Sequence, residues 1–142
     1  GIAGHAGLFS DANDLAIIFQ MLLNGGTYGG HRYLQASTIN KFTACRYCTG
    51  NRRTENRRGL GWDRQQAPGT DGPASGKVSE LSFGHTGFTG TIVWADPADS
   101  SIYIFLSNRV YPSAGTNLLA RMNTRTDIQG VVHDAIAARY KK

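Results

Sequence analysis

Leu15, Ile18, Phe19, Leu22 and Leu23 recur every three or four residues, which places them on one stripe of a helix. Ser10, followed by Asp11 and Asp14, predicts the start of that helix: a capping hydroxyl, then acids at the positive end of the dipole. Asn24-Gly25-Gly26 predicts its end, because Gly accepts the left-handed backbone of a helix terminus. Ser37 is expected to cap a second helix whose Ile39, Phe42 and Tyr47 face inward. From Thr49 to Ser79 the chain is polar and rich in Gly and Pro, broken only by Gly59-Leu60-Gly61-Trp62, read as a short strand.

The period then changes. Leu81 to Thr86, Phe88 to Ala95 and Ser101 to Ser107 each read as a strand, the last rich in β-branched and aromatic residues. Asp96-Pro97-Ala98-Asp99-Ser100 is the turn before the last of them. Such short connections predict an antiparallel meander, since parallel crossovers need a dozen or more residues. Thr126, with Gln129 three residues on, predicts a capping box and a closing helix. Its Val131, Val132, Ala135, Ile136 and Tyr140 are expected to cover the sheet. Helices, a meander and a closing helix give an α+β class: an antiparallel sheet covered by helices.

The length of 142 residues fits one domain, residues 1–142. An apolar share of 40% with 18% charged residues excludes disordered and collagen-like chains. The 18 glycines point to short elements joined by tight turns. No apolar run approaches the ~18 residues that cross a bilayer, so no membrane span is expected. The first residues, Gly-Ile-Ala, carry no Met and no leader pattern, so a processed or excised chain is expected and the compartment is not legible there.

Lys and Arg exceed Asp and Glu by 15 − 10, or +5. Arg46, Arg52, Arg53, Arg57, Arg58 and Arg64 concentrate that excess in a stretch with Gly50, Asn51, Thr54, Asn56 and Gly59. The ordinary reading is a solvated basic loop; polyanion binding is the rival, and no nucleic-acid-binding pattern supports it. Cys45 and Cys48 lack the second pair of ligands that a structural zinc needs, and read as plain thiols or an incidental disulfide.

Gly84-His-Thr-Gly87-Phe-Thr-Gly90 is not the dinucleotide-binding fingerprint, because a strand follows where a helix is required. Gly72-Pro-Ala-Ser-Gly76-Lys77 is one residue short of a phosphate-binding loop. His5, His31, His85 and His133 are far apart in sequence, so no metal site is expected. His85 stands apart, in a strand flanked by glycines that permit close approach of a backbone or a ligand. It reads either as a polar group facing a cleft or as a structural side chain.

Phe83-Gly84-His85-Thr86-Gly87-Phe88-Thr89-Gly90-Thr91, then Trp94-x-Asp96-Pro97, then Leu106-Ser107-Asn108-Arg109-Val110-Tyr111-Pro112-Ser113, resembles the C-terminal part of the serine β-lactamase and penicillin-binding-protein superfamily. The nearest group is the β-lactamase-related serine hydrolases of class C type. Gly4-His5-Ala6-Gly7-Leu8-Phe9-Ser10 with Asp14-Leu15, and Gly59-Leu60-Gly61-Trp62, resemble the helical stretch after that family's second motif and the strand before its third.

The resemblance implies a partial β-lactamase/transpeptidase-like fold and a site built from three motifs: Ser-x-x-Lys, Tyr-x-Asn, and Lys-Thr-Gly or His-Thr-Gly. His85-Thr86-Gly87 matches the third. By that carry-over His85 supports the charge and hydrogen bonding around the nucleophile, Thr86 orients substrate, and the backbone N–H of Phe88 serves the oxyanion hole. No serine here has Lys three residues later, and no tyrosine has Asn two later. The nucleophile and its proton partner are therefore expected in an N-terminal portion outside these residues, with this chain inactive alone.

Ser113 and Thr116 stand where class C β-lactamases have the Asn and Arg that receive the antibiotic carboxylate. Esterase, D-amino-peptidase and transpeptidase-like roles thus stay open beside β-lactamase, and Arg109 reads as a structural or rim residue. The implied chemistry is acyl transfer on an amide, ester or β-lactam, with a small-molecule or peptide substrate and no cofactor. The family favours a periplasmic or extracellular place. The rival class is a non-catalytic module that binds cell-wall peptide. An incomplete sheet should expose an edge and apolar surface, so self-association is expected.

Overall fold

The computed structural model describes residues 7–48, 57–66 and 72–140. Helix α1 (Ala12–Leu23) is capped by Asp11, whose carboxylate accepts the N–H of Asp14 at 2.9 Å. The cap is thus one residue later than Ser10, and it brings a negative charge to the helix dipole. Gly25 and Gly26 (φ +65° and +97°) turn the chain out of the helix, and a Cβ on Gly26 would collide with the carbonyl of Leu34. A small hairpin follows, β1 (Thr27–Tyr28) and β2 (His31–Arg32), around Gly29-Gly30, both at positive φ. That two-Gly turn between short strands is a hairpin signal the periodicity reading passed over.

Helix α2 (Ala36–Thr43) follows Gln35, which offers no side-chain cap, so Ser37 lies inside the first turn. Ile39 is buried, but Phe42 and Tyr47 are exposed, against the expectation that all three face inward. Cys45 and Cys48 form a disulfide just beyond the helix.

The main sheet is antiparallel with order β3-β4-β5-β6. Its strands are β3 (Asp63–Arg64), β4 (Phe83–Thr86), β5 (Ile92–Asp96) and β6 (Ser101–Phe105). The expected meander is present, with shorter strands than the apolar runs suggested. Gly59 to Trp62 is a turn rather than a strand: the Gly59 N–H donates to the Trp62 carbonyl at 2.9 Å, and Gly61 has φ +81°. Phe88 to Thr91 leave the second run to form the β4–β5 turn.

Alternation along the strands divides the core. Phe83, Val93, Ala95 and Ile102 pack with Phe19, Leu22 and Leu23 of α1, and with Trp62. The Trp62 ring meets the rings of Phe19 and Phe83 edge-on at 5.4 and 5.5 Å. On the other face Ile92, Trp94, Tyr103 and Phe105 pack with Ala74 and Val78.

Short α3 (Leu118–Arg121) leads through Asn123 (φ +51°) into α4 (Thr124–Tyr140). The expected capping box does not form. The Thr126 hydroxyl donates to the Asn123 carbonyl, and the buried Gln129 accepts the N–H of Ser75 at 2.8 Å. The inward face of α4 is Gln129, Gly130 and His133, while Val131 and Val132 are exposed. Polar pairings set this rotation. Tyr103 Oη donates to the Arg125 carbonyl at 3.0 Å, and His133 Nδ1 stands 3.3 Å from Asp99 Oδ2. Gly130 lets the helix sit close, since a Cβ there would be 3.1 Å from Ser75 Oγ.

Candidate active site at the free end of β4

Arg64 fixes where β4 begins. Its guanidinium is buried and donates to the carbonyls of Glu80 and Leu81 at 2.7 and 3.0 Å. Burial, and then the charge of Arg57, lower its pKa, while Asp96 acts the other way. Ser79, Asp96 and Ala98 lock the same end. Asp96 accepts from the Ser79 N–H and hydroxyl and from the Ala98 N–H at 2.6, 2.5 and 3.0 Å.

From there β4 runs out along a lengthening open edge. β3 pairs only with Gly84 and Phe83, so His85 and Thr86 have β5 on one side and no strand on the other among the described residues. The Gly87 N–H donates to the Thr91 carbonyl at 2.8 Å, which makes that pair hydrogen-bonded. Antiparallel alternation then turns the N–H and C=O of Thr86 away from β5, toward the open edge.

His85 is exposed and Thr86 half-buried. His85 Nδ1 donates to the Thr86 carbonyl at 2.7 Å, which leaves Nε2 without a partner among the described residues. The flanking glycines serve the sheet itself. A Cβ on Gly84 would stand 2.5 Å from Trp94 Cε3, and one on Gly87 would collide with Thr91 Oγ1. The close approach read from them is therefore made by the cross-strand neighbours.

Phe88 follows at the tip of the turn closed by the Gly90 N–H donating to the Gly87 carbonyl at 3.0 Å. Its ring is exposed, and its N–H donates to no group among the described residues. His85, Thr86, Gly87 and Phe88 therefore lie together on one accessible edge. Such an edge can offer a substrate a backbone donor, a hydroxyl and an imidazole.

The segment after β6 grips the turn. Arg109 Nε donates to the Phe88 carbonyl at 2.8 Å, with the guanidinium 4.4 Å from the centre of the Phe88 ring. The Thr89 carbonyl accepts from the Arg109 N–H at 2.9 Å and from Ser107 Oγ at 3.1 Å. These contacts bridge about twenty residues of chain, and no periodicity announces them.

Asp96, Asp99 and His133, distant in sequence, come within 4.8 Å of one another through their ligand atoms. They border a hollow of about 490 Å³ with Lys77, Ser79 and Asp134, at the end of β5 away from His85. Three of the four carboxylate oxygens already accept from the protein, both of Asp96 as above and Asp99 Oδ1 from the Ser101 N–H, while Asp99 Oδ2 stands 3.3 Å from His133 Nδ1. The grouping clasps α4 to the β5–β6 turn.

The basic stretch is also engaged where it is described. Arg58 pairs with Asp63 at 2.7 Å, Arg46 donates to the Lys41 carbonyl, and Arg64 is buried. Arg52 and Arg53, like Gly4, His5 and Ala6, lie outside the described residues.

Known proteins are similar to this chain. Residues 1–124 match the Beta-lactamase family. A protein of Escherichia coli K12 named "Putative D-alanyl-D-alanine carboxypeptidase" is 33% identical over 148 residues, across 100% of this chain and 32% of its own length. A protein of the same name from Salmonella paratyphi B is 39% identical over 111 residues, across 77% of this chain and 24% of its own. The crystal structure of a beta-lactamase from Mycobacterium bovis superposes with a TM-score of 0.61 at 21% identity, covering 92% of this chain and 44% of that one. The fold is thus a partial transpeptidase-like α+β fold. The chain spans about a third or less of the length of these curated relatives.

Proposed function

The chain belongs to the beta-lactamase family of serine hydrolases, and on that premise we propose that it forms the sheet-edge wall of an acyl-transfer site within a longer protein. The observation that carries this reading is the Phe88 N–H, unengaged among the described residues at the open end of β4 beside an exposed His85. An attacked carbonyl placed there gains negative charge on oxygen, and an N–H held ready for it lowers the barrier without reorganising. Thr86, with its backbone turned to the same edge, hydrogen-bonds the substrate chain. Nε2 of His85 takes part in the proton and charge arrangement around the serine.

The serine, its lysine and its tyrosine come from the portion of the protein outside these residues. Peptides ending in D-alanyl-D-alanine are the favoured substrate class, by similarity to the relatives named above. β-Lactams and esters present the same electrophile.

The test is acylation of the longer protein that contains this chain by a fluorescent penicillin, together with release of D-alanine from a D-alanyl-D-alanine peptide. A covalent adduct on a serine of a Ser-x-x-Lys motif, formed more slowly in His85→Ala, is expected. Tight peptide binding with no adduct and no turnover would favour the non-catalytic module instead.

A further inference from the structure

We propose that Arg109 is a positioning residue for the Phe88 amide, an inference that rests on the acyl-transfer reading. The β4–β5 turn leaves Phe88 and Thr89 as its two central residues. A central residue of an exposed turn is held by few contacts, yet an oxyanion donor must keep its direction to within a fraction of an ångström. Here both peptides that leave Phe88 are fixed. The preceding one is held through its carbonyl, on Gly87, which accepts the Gly90 N–H at 3.0 Å. The following one is held through the Phe88 carbonyl, which accepts Arg109 Nε at 2.8 Å.

The grip extends further along the turn. Arg109's own N–H and Ser107 Oγ both reach the Thr89 carbonyl. The guanidinium covers the Phe88 ring, and Nη1 reaches the Ala114 carbonyl at 3.5 Å. Gly90 (φ +95°) makes room: a Cβ there would stand 2.5 Å from Ser107 Oγ and 3.1 Å from Arg109 Cγ. The Phe88 and Thr89 carbonyls are drawn toward the segment after β6, while the Gly87 carbonyl turns to Gly90, and the planar trans peptide sets the Phe88 N–H opposite that carbonyl. Among the described residues Arg109 pairs with no carboxylate, so its polar reach is spent on backbone carbonyls.

The experiment compares Arg109→Ala and Arg109→Lys in the longer protein, using a fluorescent penicillin for acylation and ¹⁵N-phenylalanine labelling to follow the Phe88 amide. Arg109→Ala is expected to slow the acylation step by about ten- to a hundredfold with the non-covalent binding constant little changed. Arg109→Lys, which keeps one donor for the Phe88 carbonyl, is expected to recover part of the rate. The Phe88 amide resonance should shift in Arg109→Ala while that of Phe83 stays.

An unchanged rate, or a loss confined to binding, would overturn the proposal. If the wild-type protein forms no adduct, the acyl-transfer reading falls. The amide then decides for Arg109: an unmoved Phe88 resonance removes its positioning role as well. If Arg109→Ala does not fold, Arg109→Lys carries the test, and a fully wild-type rate and Phe88 resonance there would overturn the proposal.

Discussion

Trp94 fills the space that a side chain on Gly84 would need: a Cβ at 84 would stand 2.5 Å from Trp94 Cε3 and 2.8 Å from its Cα. The two residues face each other across β4 and β5, and Trp94 is 1% exposed, so neither can step aside. Gly84→Ala is therefore expected to cost about 1–3 kcal/mol, the usual penalty of overpacking. Urea unfolding checks it; a loss below about 0.5 kcal/mol would show that the tryptophan yields.

The docking of α4 depends on a polar contact in place of an apolar stripe. Gln129→Ala would leave the buried Ser75 N–H without its acceptor, for which about 1–3 kcal/mol is expected. Val131→Ala, on the exposed side of the same helix, should change stability by less than about 0.5 kcal/mol. Equal losses from the two would mean that the helix is rotated from its described position.

Tyr103 supplies a pH dependence. Burial raises its pKa above the ordinary phenol value, and the nearby Arg125 only partly offsets this. A raised pKa means that the folded chain holds the proton more tightly. This stability is fully present below about pH 10 and is lost as pH rises through the folded value. Tyr103→Phe should be less stable at neutral pH, because the bond to the Arg125 carbonyl is gone, and should lose less stability between neutral pH and pH 11. Parallel stability profiles for the two proteins would contradict this.

The 142-residue chain alone should hydrolyse neither a chromogenic β-lactam nor an ester above the reaction in water, because oxyanion donors without an activated nucleophile complete no acyl transfer. Turnover by the purified chain that disappears in His85→Ala would refute it.

Self-association is expected of the same chain. Strand β6 has no neighbour on its outer side among the described residues, and Leu8 and Phe9 are 79% and 93% exposed. Light scattering should show mass rising with concentration; a monomer throughout would count against it.

The residues that carry local rules were legible in the chain. The α1 stripe and the meander follow from spacing and turn residues, whereas His85-Thr86-Gly87 stands out through its resemblance to the family's third motif. What escaped depends on partners distant in sequence. Val131 and Val132 are apolar, yet Gly130 and Gln129 face inward because Ser75 lies where only a small residue and an amide acceptor fit. Trp62 looked like strand but is the last residue of a turn whose ring reaches Phe19. At the site, the close approach expected from the glycines is made at Gly84 by the backbone of Val93 and Trp94, and the Arg109 grip on Phe88 spans chain with no repeating pattern.

The most direct measurement is the crystal structure of the longer protein carrying an acyl adduct or a boronate mimic of the tetrahedral intermediate. The account predicts the oxyanion-side oxygen about 2.7–3.1 Å from the Phe88 nitrogen, with the Thr86 side of β4 along the ligand. An adduct whose oxygen points elsewhere, with the Phe88 N–H bonded to another part of the protein, would contradict it.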